Sequence, residues 1–158
     1  MKFFGNNNNS ERLERLKDIP AFRELSRNEI MEVEALLHER IYEKGEIVFE
    51  EGDPGHGIFI VLSGKLRVTP NCELLKISSL DFGPGDMVGE LSLFEEAPRP
   101  ATLMAVERTV AIALFRAEFF LLLTKNKSIG AKVLIEIART LSRRARQLLL
   151  GEKRAPSL

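Results

Sequence analysis

Tryptophan is absent from this chain of 158 residues, and cysteine and tyrosine occur once each. The lone Cys72 excludes an internal disulfide, a four-cysteine zinc site and an all-cysteine iron–sulfur cluster held within one chain. A reducing, cytoplasmic setting fits such a thiol. The two histidines, His38 and His56, stand far apart and read as a helix-end and a turn residue. They do not supply the clustered His and carboxylate ligands that a metal-dependent oxygenase on a rolled sheet needs. There is no Gly-x-Ser-x-Gly elbow, and Cys72 has no histidine near it in sequence. The expectation is therefore a protein that is not an enzyme, with no catalytic residues and no metal.

Long apolar runs are also missing. The start, MKFFGNNNNSE, lacks the apolar core of a secretory signal, and no stretch approaches the roughly 20 apolar residues that cross a bilayer. No excess of one charge sign exists either, since 23 Lys and Arg balance 23 Asp and Glu. That balance argues against a chain whose main work is neutralising nucleic-acid phosphates. The distribution is uneven, however: between Lys125 and Arg154 the bases are opposed only by Glu136 and Glu152. This basic stretch is a solvated helix face or a surface for a partner.

What remains is 44% apolar residues, enough for one core. The pattern predicts a flexible tail over 1–9, one domain over 10–150 and a second tail over 151–158. Helices are expected over 10–39, where Ser26-x-x-Glu29 has the spacing of a capping box and Ile30, Val33, Leu36 and Leu37 form one stripe. From about Ile41 to Phe115 short runs of Val, Ile, Leu and Phe alternate with glycine or proline, the texture of a barrel or two-sheet roll. Strands are predicted at 46–49, 57–63, 65–69, 74–80, 101–106 and 109–115, with Ser63-Gly64 as a two-residue hairpin. Helices return over 116–150, the last opened by a Ser128 cap. On it Leu134, Ala138, Leu141, Ala145 and Leu148 follow a coiled-coil step, fitting packing within the chain or a dimer seam.

One segment carries chemistry: 89-GELSLFEEAPRPAT-102. Gly89 permits a turn that points the amides of Leu91 and Ser92 outward, with Leu91, Leu93 and Phe94 anchoring it. Glu90 offers a carboxylate to a sugar hydroxyl, and Arg99 a planar fork to two phosphate oxygens. The bland alternative is a surface loop in which Glu90 and Arg99 pair with each other.

The segment resembles the phosphate-binding cassette of the cyclic nucleotide-binding domain family, the sensor of catabolite activator-like regulators, cyclic-nucleotide-dependent kinases and gated channels. The run 44-KGEIVFEEGDPGHGIFIVLSGKLRV-68 is similar to that family's glycine-punctuated hairpins, and 82-FGPGDMVGELSL-93 to its approach to the cassette. The resemblance spans about residues 12–150. It implies a mainly β fold, a double-stranded β-helix or jelly-roll barrel with N-terminal helices and a long C-terminal helix. It further implies a ligand site at Gly89, Glu90, Leu91, Ser92, Arg99, Pro100 and Ala101. There Glu90 accepts from the ribose 2′-hydroxyl, Arg99 meets the cyclic phosphate, and the amides around Leu91, Ser92 and Ala101 complete the cradle.

Pro100 departs from the pattern, because binding members usually carry Ala, Ser or Thr there and donate its backbone N–H, which proline lacks. A hydrogen bond to a charged group contributes about 1.5–3 kcal/mol, so its loss alone weakens binding about 10- to 150-fold. Proline also biases Arg99 toward extended angles, which pre-sets its side chain. The missing hydroxyl favours cyclic AMP over cyclic GMP. An iron–sulfur sensor would need more cysteines, and a haem sensor a Cys or His pair near Cys72. The resemblance implies a regulatory module that signals by moving its C-terminal helix to a protein effector in trans or within a homodimer through helix 128–150. It also implies no DNA binding by this chain alone, since no helix-turn-helix follows the long helix. The alternative is a same-fold interaction or dimerisation module that does not bind cyclic nucleotides, because Pro100 removes a phosphate-binding N–H.

Overall fold

The computed structural model describes residues 9–69 and 79–150. Cys72, the Pro70-Asn71 turn, most of the expected strand at 74–80 and both expected tails, apart from Asn9, lie outside the described residues. The chain forms two compact units, one built on Leu36–Phe119 and the other on the segments before and after it.

The first unit is a roll of two four-stranded antiparallel sheets. Its strands are β1 (His38–Tyr42), β2 (Ile47–Phe49), β3 (Gly57–Ser63), β4 (Leu66–Thr69), β5 (Leu80–Phe82), β6 (Met87–Val88), β7 (Thr102–Ala105) and β8 (Thr109–Phe115). One sheet has the order β1-β8-β3-β6 and the other β2-β7-β4-β5, so the chain changes sheet at every link except β4 to β5. The central strands of the first sheet, β3 and β8, are apolar without alternation and buried along nearly their whole length, as strands covered on both faces must be. By contrast β7 alternates, burying Leu103 and Ala105 while Thr102 and Met104 stay half-exposed. Phe59, Val61, Leu66, Phe82, Val88, Leu103, Ala105 and Ala113 form the core of this roll. The mainly β fold expected above is the fold present.

Several expectations change. Ser63-Gly64 does not close a hairpin: β3 pairs with β6 and β8, β4 with β5 and β7. The turn is tied instead to Thr109, whose hydroxyl accepts from Lys65 N at 2.9 Å and donates to Lys65 O at 3.1 Å. The first helical stripe stops early, because α2 covers Arg27–Glu34 and His38 already lies in β1, opposite Ala113. His38 therefore sits on a strand, its Nε2 3.2 Å from Glu118 Oε1 and its ring against Phe115. Strand β6 has only two residues and lay hidden in the glycine-rich approach to the cassette.

The second unit holds α1 (Asn9–Lys17), a 3-10 turn at Pro20–Phe22, α2 and the long α5 (Lys127–Leu150). Between Phe115 and α5 runs α4 (Arg116–Lys125). The capping box opens α2 as expected: Ser26 Oγ accepts from Glu29 N, and Glu29 Oε2 accepts from Ser26 N at 2.7 Å. Lys132 of α5 grips the same carboxylate at 2.7 and 2.8 Å, and this, with the Ser26 amide, holds the Glu29 carboxyl below its ordinary value. The α5 cap is Asn126 rather than Ser128, its Oδ1 accepting from Ile129 N at 3.4 Å. Ile129, Gly130, Val133, Glu136 and Ile137 are the buried face of α5. The coiled-coil positions lie elsewhere: Leu134 and Leu141 are half-buried, and Ala138, Ala145 and Leu148 are exposed. Among the described residues no helix is long and apolar enough to cross a membrane.

Candidate functional site

The site forms where two loops of the roll meet. After β6 the chain turns at Gly89 and enters α3 (Leu91–Phe94), with Glu90 at its N-cap. Gly89 has φ +85°, which L side chains rarely adopt, and a Cβ there would lie 2.6 Å from Arg99 Nη1. Only glycine meets both demands. The segment after α3 then returns beside the loop 52–57. Pro98 bridges Pro54, Arg99 N donates to Asp53 O at 2.8 Å, and Gly52 N donates to Arg99 O at 2.9 Å. Arg99 is thereby held on backbone of fixed register, with its side chain turned inward and only 5% exposed.

The guanidinium has a defined set of partners. Nη1 donates to Ser92 Oγ at 2.8 Å and to Gly89 O at 3.4 Å, and Nη2 donates to Gly57 O at 3.0 Å. The Phe49 ring lies against it, with Arg99 Cζ 4.0 Å from the ring centroid. Ser92 reaches this position because residue 55 is glycine; a Cβ there would fall 2.1 Å from Ser92 Oγ. Nε is buried and has no hydrogen-bond partner among the described residues. Burial pulls the Arg99 pKa below its ordinary value while the Asp53 charge opposes that pull. Guanidinium stays protonated at neutral pH in either case. The arrangement is a buried cation held against an aromatic face, with one nitrogen, Nε, unpartnered among the described residues, and its chemistry suits an anion.

The remaining residues of the segment divide between inside and outside. Glu90 is buried beside the turn, as are Ser92, Leu93 and Ala101. Leu91 and Phe94 are exposed, so Leu93 anchors α3 within the core where all three apolar residues were expected to do so. Pro100 is exposed. The Ser92 amide is directed into the turn, donating to Gly89 O at 3.1 Å, where an outward amide was expected. The hydrogen-bond partners of the Arg99 guanidinium given above are the Ser92 hydroxyl and the Gly89 and Gly57 carbonyls.

Sequence reasoning missed Phe49, Gly57 and Asp53. Phe49 read as ordinary strand core. The loop 52-GDPGHG-57 read as punctuation, although glycines in such a loop also mark a close approach of backbone to another group.

The model of the cyclic nucleotide-binding domain matches residues 39–126, the roll, the cassette and α4. Among curated proteins the chain is 32% identical over 127 residues to the cyclic AMP receptor protein of Thermus thermophilus, covering 80% of this chain and 59% of that one. It is 30% identical over 113 residues to a cyclic nucleotide-gated potassium channel of Mesorhizobium japonicum, covering 71% of this chain and 30% of the channel. The chain thus spans little more than half of the first relative's length. Among solved structures, a cyclic nucleotide-binding domain from Methylobacillus flagellatus superposes with a TM-score of 0.81 at 24% identity, covering 94% of this chain and 88% of that one. That last likeness is one of fold; the family match and the Thermus relative carry the sequence. By its fold, its cassette and these matches, the chain belongs to the cyclic nucleotide-binding domain family.

Proposed function

We propose that the chain is a regulatory sensing module whose ligand is cyclic AMP, held in the cassette at 89–102. The observation that carries this reading is Arg99 Nε, a buried donor without a partner among the described residues, beside a glycine-opened turn. A cyclic phosphate, singly charged with two free oxygens, supplies an acceptor for Nε and a negative charge nearer than that of Asp53, whose backbone rather than carboxylate is bonded to Arg99. Glu90 takes the ribose 2′-hydroxyl, and Gly89, Leu91, Ser92 and Ala101 shape the cradle around the ring. Pro100 contributes no N–H, which leaves Arg99 a larger share of the phosphate energy than in members that donate there. The absence of a hydroxyl at position 100 favours cyclic AMP over cyclic GMP.

The signal leaves through the C-terminal helices. Ligand draws the turn at 89–94 inward and shifts the hinge at about 115–128 and helix 128–150. It does so only to the extent that it binds one arrangement more tightly than the other. The receiver is a protein effector in trans or a second copy, engaged through helix 128–150, where Ala138, Ala145 and Leu148 are exposed and Leu134 and Leu141 half-buried. Neither catalysis nor DNA binding by this chain alone belongs to this reading, and its setting is the cytoplasm.

A second reading rests on Pro100 together with the inward Ser92 amide. Two neutral phosphate donors are then missing, and the roll serves as an interaction module with no cyclic nucleotide. Titration calorimetry separates the two. Micromolar binding of cyclic AMP that disappears in Arg99→Ala supports the first reading. Heat indistinguishable from dilution for cyclic AMP, cyclic GMP and a cyclic dinucleotide supports the second.

A further inference from the structure

A second arginine reaches the cassette. Arg116, the first residue of α4, donates from Nε and Nη2 to Ser92 O at 2.9 and 2.7 Å. Its Nη2 also donates to Glu95 O, and its Nη1 to Glu96 Oε1 at 2.8 Å. Ser92 O and Glu95 O lie at the C-terminal end of α3, where carbonyls have no acceptor role left within the helix and carry the negative end of its dipoles. The backbone of Arg116 is fixed too, its N–H donating to His56 O at 2.7 Å in the loop that ends at Gly57, an acceptor of Arg99. Ser92 therefore stands between two guanidiniums: its hydroxyl accepts from Arg99 and its carbonyl from Arg116.

We propose that Arg116 is a positioning residue that clamps the cassette turn, and that Ser92 links the anion-binding arginine to the first turn of α4 through this clamp. A helix of four residues has too few internal bonds to hold itself in place. The planar fork of Arg116 spans two carbonyls at once, which a point charge cannot do. An anion on Arg99 Nε draws on the same guanidinium whose Nη1 holds Ser92 Oγ, so occupancy alters the Ser92 end of the link and Arg116 carries the change to α4. The Glu96 bond is a minor part, since that side chain is 90% exposed.

The clamp half of the proposal stands on geometry alone; the link half rests on the cyclic nucleotide reading above. Amide hydrogen exchange tests both with the full chain. Without ligand, Arg116→Gln and Arg116→Lys accelerate exchange at the amides of Ser92, Leu93 and Glu95 about tenfold or more, as expected when charge-assisted hydrogen bonds holding a turn are removed. Glu96→Ala leaves those rates within about twofold. Lys retains the charge and the aliphatic stem, so it keeps the fold should Gln lose it. Unchanged exchange at these amides in both Arg116 variants overturns the clamp. With cyclic AMP added, the wild type shows ligand-dependent exchange in α3 and in α4, whereas Arg116→Lys keeps the α3 response and loses that of α4. An α4 response of wild-type size in Arg116→Lys overturns the link. Flat calorimetry on the wild type overturns the nucleotide reading and the link that rests on it, while the ligand-free rates still decide the clamp.

Discussion

The cassette end of the roll and the far half of α5 depart from the usual sorting of residues in opposite directions. At the cassette Glu90, Ser92 and Arg99 are all buried, although charged side chains are seldom buried unless something compensates them. On α5 Leu148, Leu149 and Leu150 are 69, 86 and 61% exposed, although apolar side chains gain from leaving water. Burying Arg99 is tolerable because four protein groups contact it, and among the described residues its Nε is left without a partner. Exposing the leucines is tolerable because the helix is anchored elsewhere, by Ile129, Val133 and Ile137. Under the proposed function the first region would receive a polar ligand and the second an apolar surface.

The largest effect expected concerns the cassette. Arg99→Ala leaves the bound phosphate without its charged partner, a truncation that costs about 2–5 kcal/mol, or about 30- to 5,000-fold in Kd for cyclic AMP by calorimetry. The same variant leaves Leu148 and its neighbours untouched, so self-association measured by sedimentation stays at its wild-type value if the two regions are independent. Next in size is Gly89→Ala, which forces a Cβ into an unfavourable φ and against Arg99 Nη1. Its cost is about 1–3 kcal/mol in denaturant unfolding, together with loss of cyclic AMP binding. An unchanged affinity would show that the turn need not hold its present shape.

Pro100→Ala sharpens the comparison in the other direction by returning an N–H to the cassette. It is expected to tighten cyclic AMP binding up to about tenfold, the gain being trimmed by the lost restriction on Arg99. No change in Kd would mean that residue 100 does not face the phosphate. On α5, Leu148→Glu should leave stability within about 0.5 kcal/mol, because the residue packs against little. It should abolish dimers if the helix is the seam.

The smallest effect is on stability against pH. The Glu29 carboxyl is held below its ordinary value by Lys132 and Ser26, so its contribution is present above the unfolded-chain carboxylate pKa and fades as pH falls through the lower folded value. Lys132→Met should flatten the acid limb of the unfolding curve, and an unaltered limb would remove Glu29 from the account.

Much of this was readable in advance, and the reasons differ by element. The strands β3 and β8 announced themselves because a strand covered on both faces must be apolar throughout. The capping box at Ser26 and Glu29 is a local device, complete within four residues. The turn at Ser63-Gly64 misled because hairpin chemistry says nothing about which sheet the next strand joins; β4 pairs with β5 and β7, and Thr109, far along the chain, holds the turn. In the site, Arg99 and Glu90 were visible through their residue types. Phe49, Gly57 and Arg116 were not, since their roles arise from backbone carbonyls and ring faces that only the roll brings together.

The most direct measurement is the nitrogen-15 resonance of Arg99 Nε, assigned by its disappearance in Arg99→Lys, followed while cyclic AMP is added. The account requires that resonance to shift and saturate with the calorimetric Kd as the buried N–H acquires a phosphate oxygen. A resonance that stays in place at saturating nucleotide contradicts it.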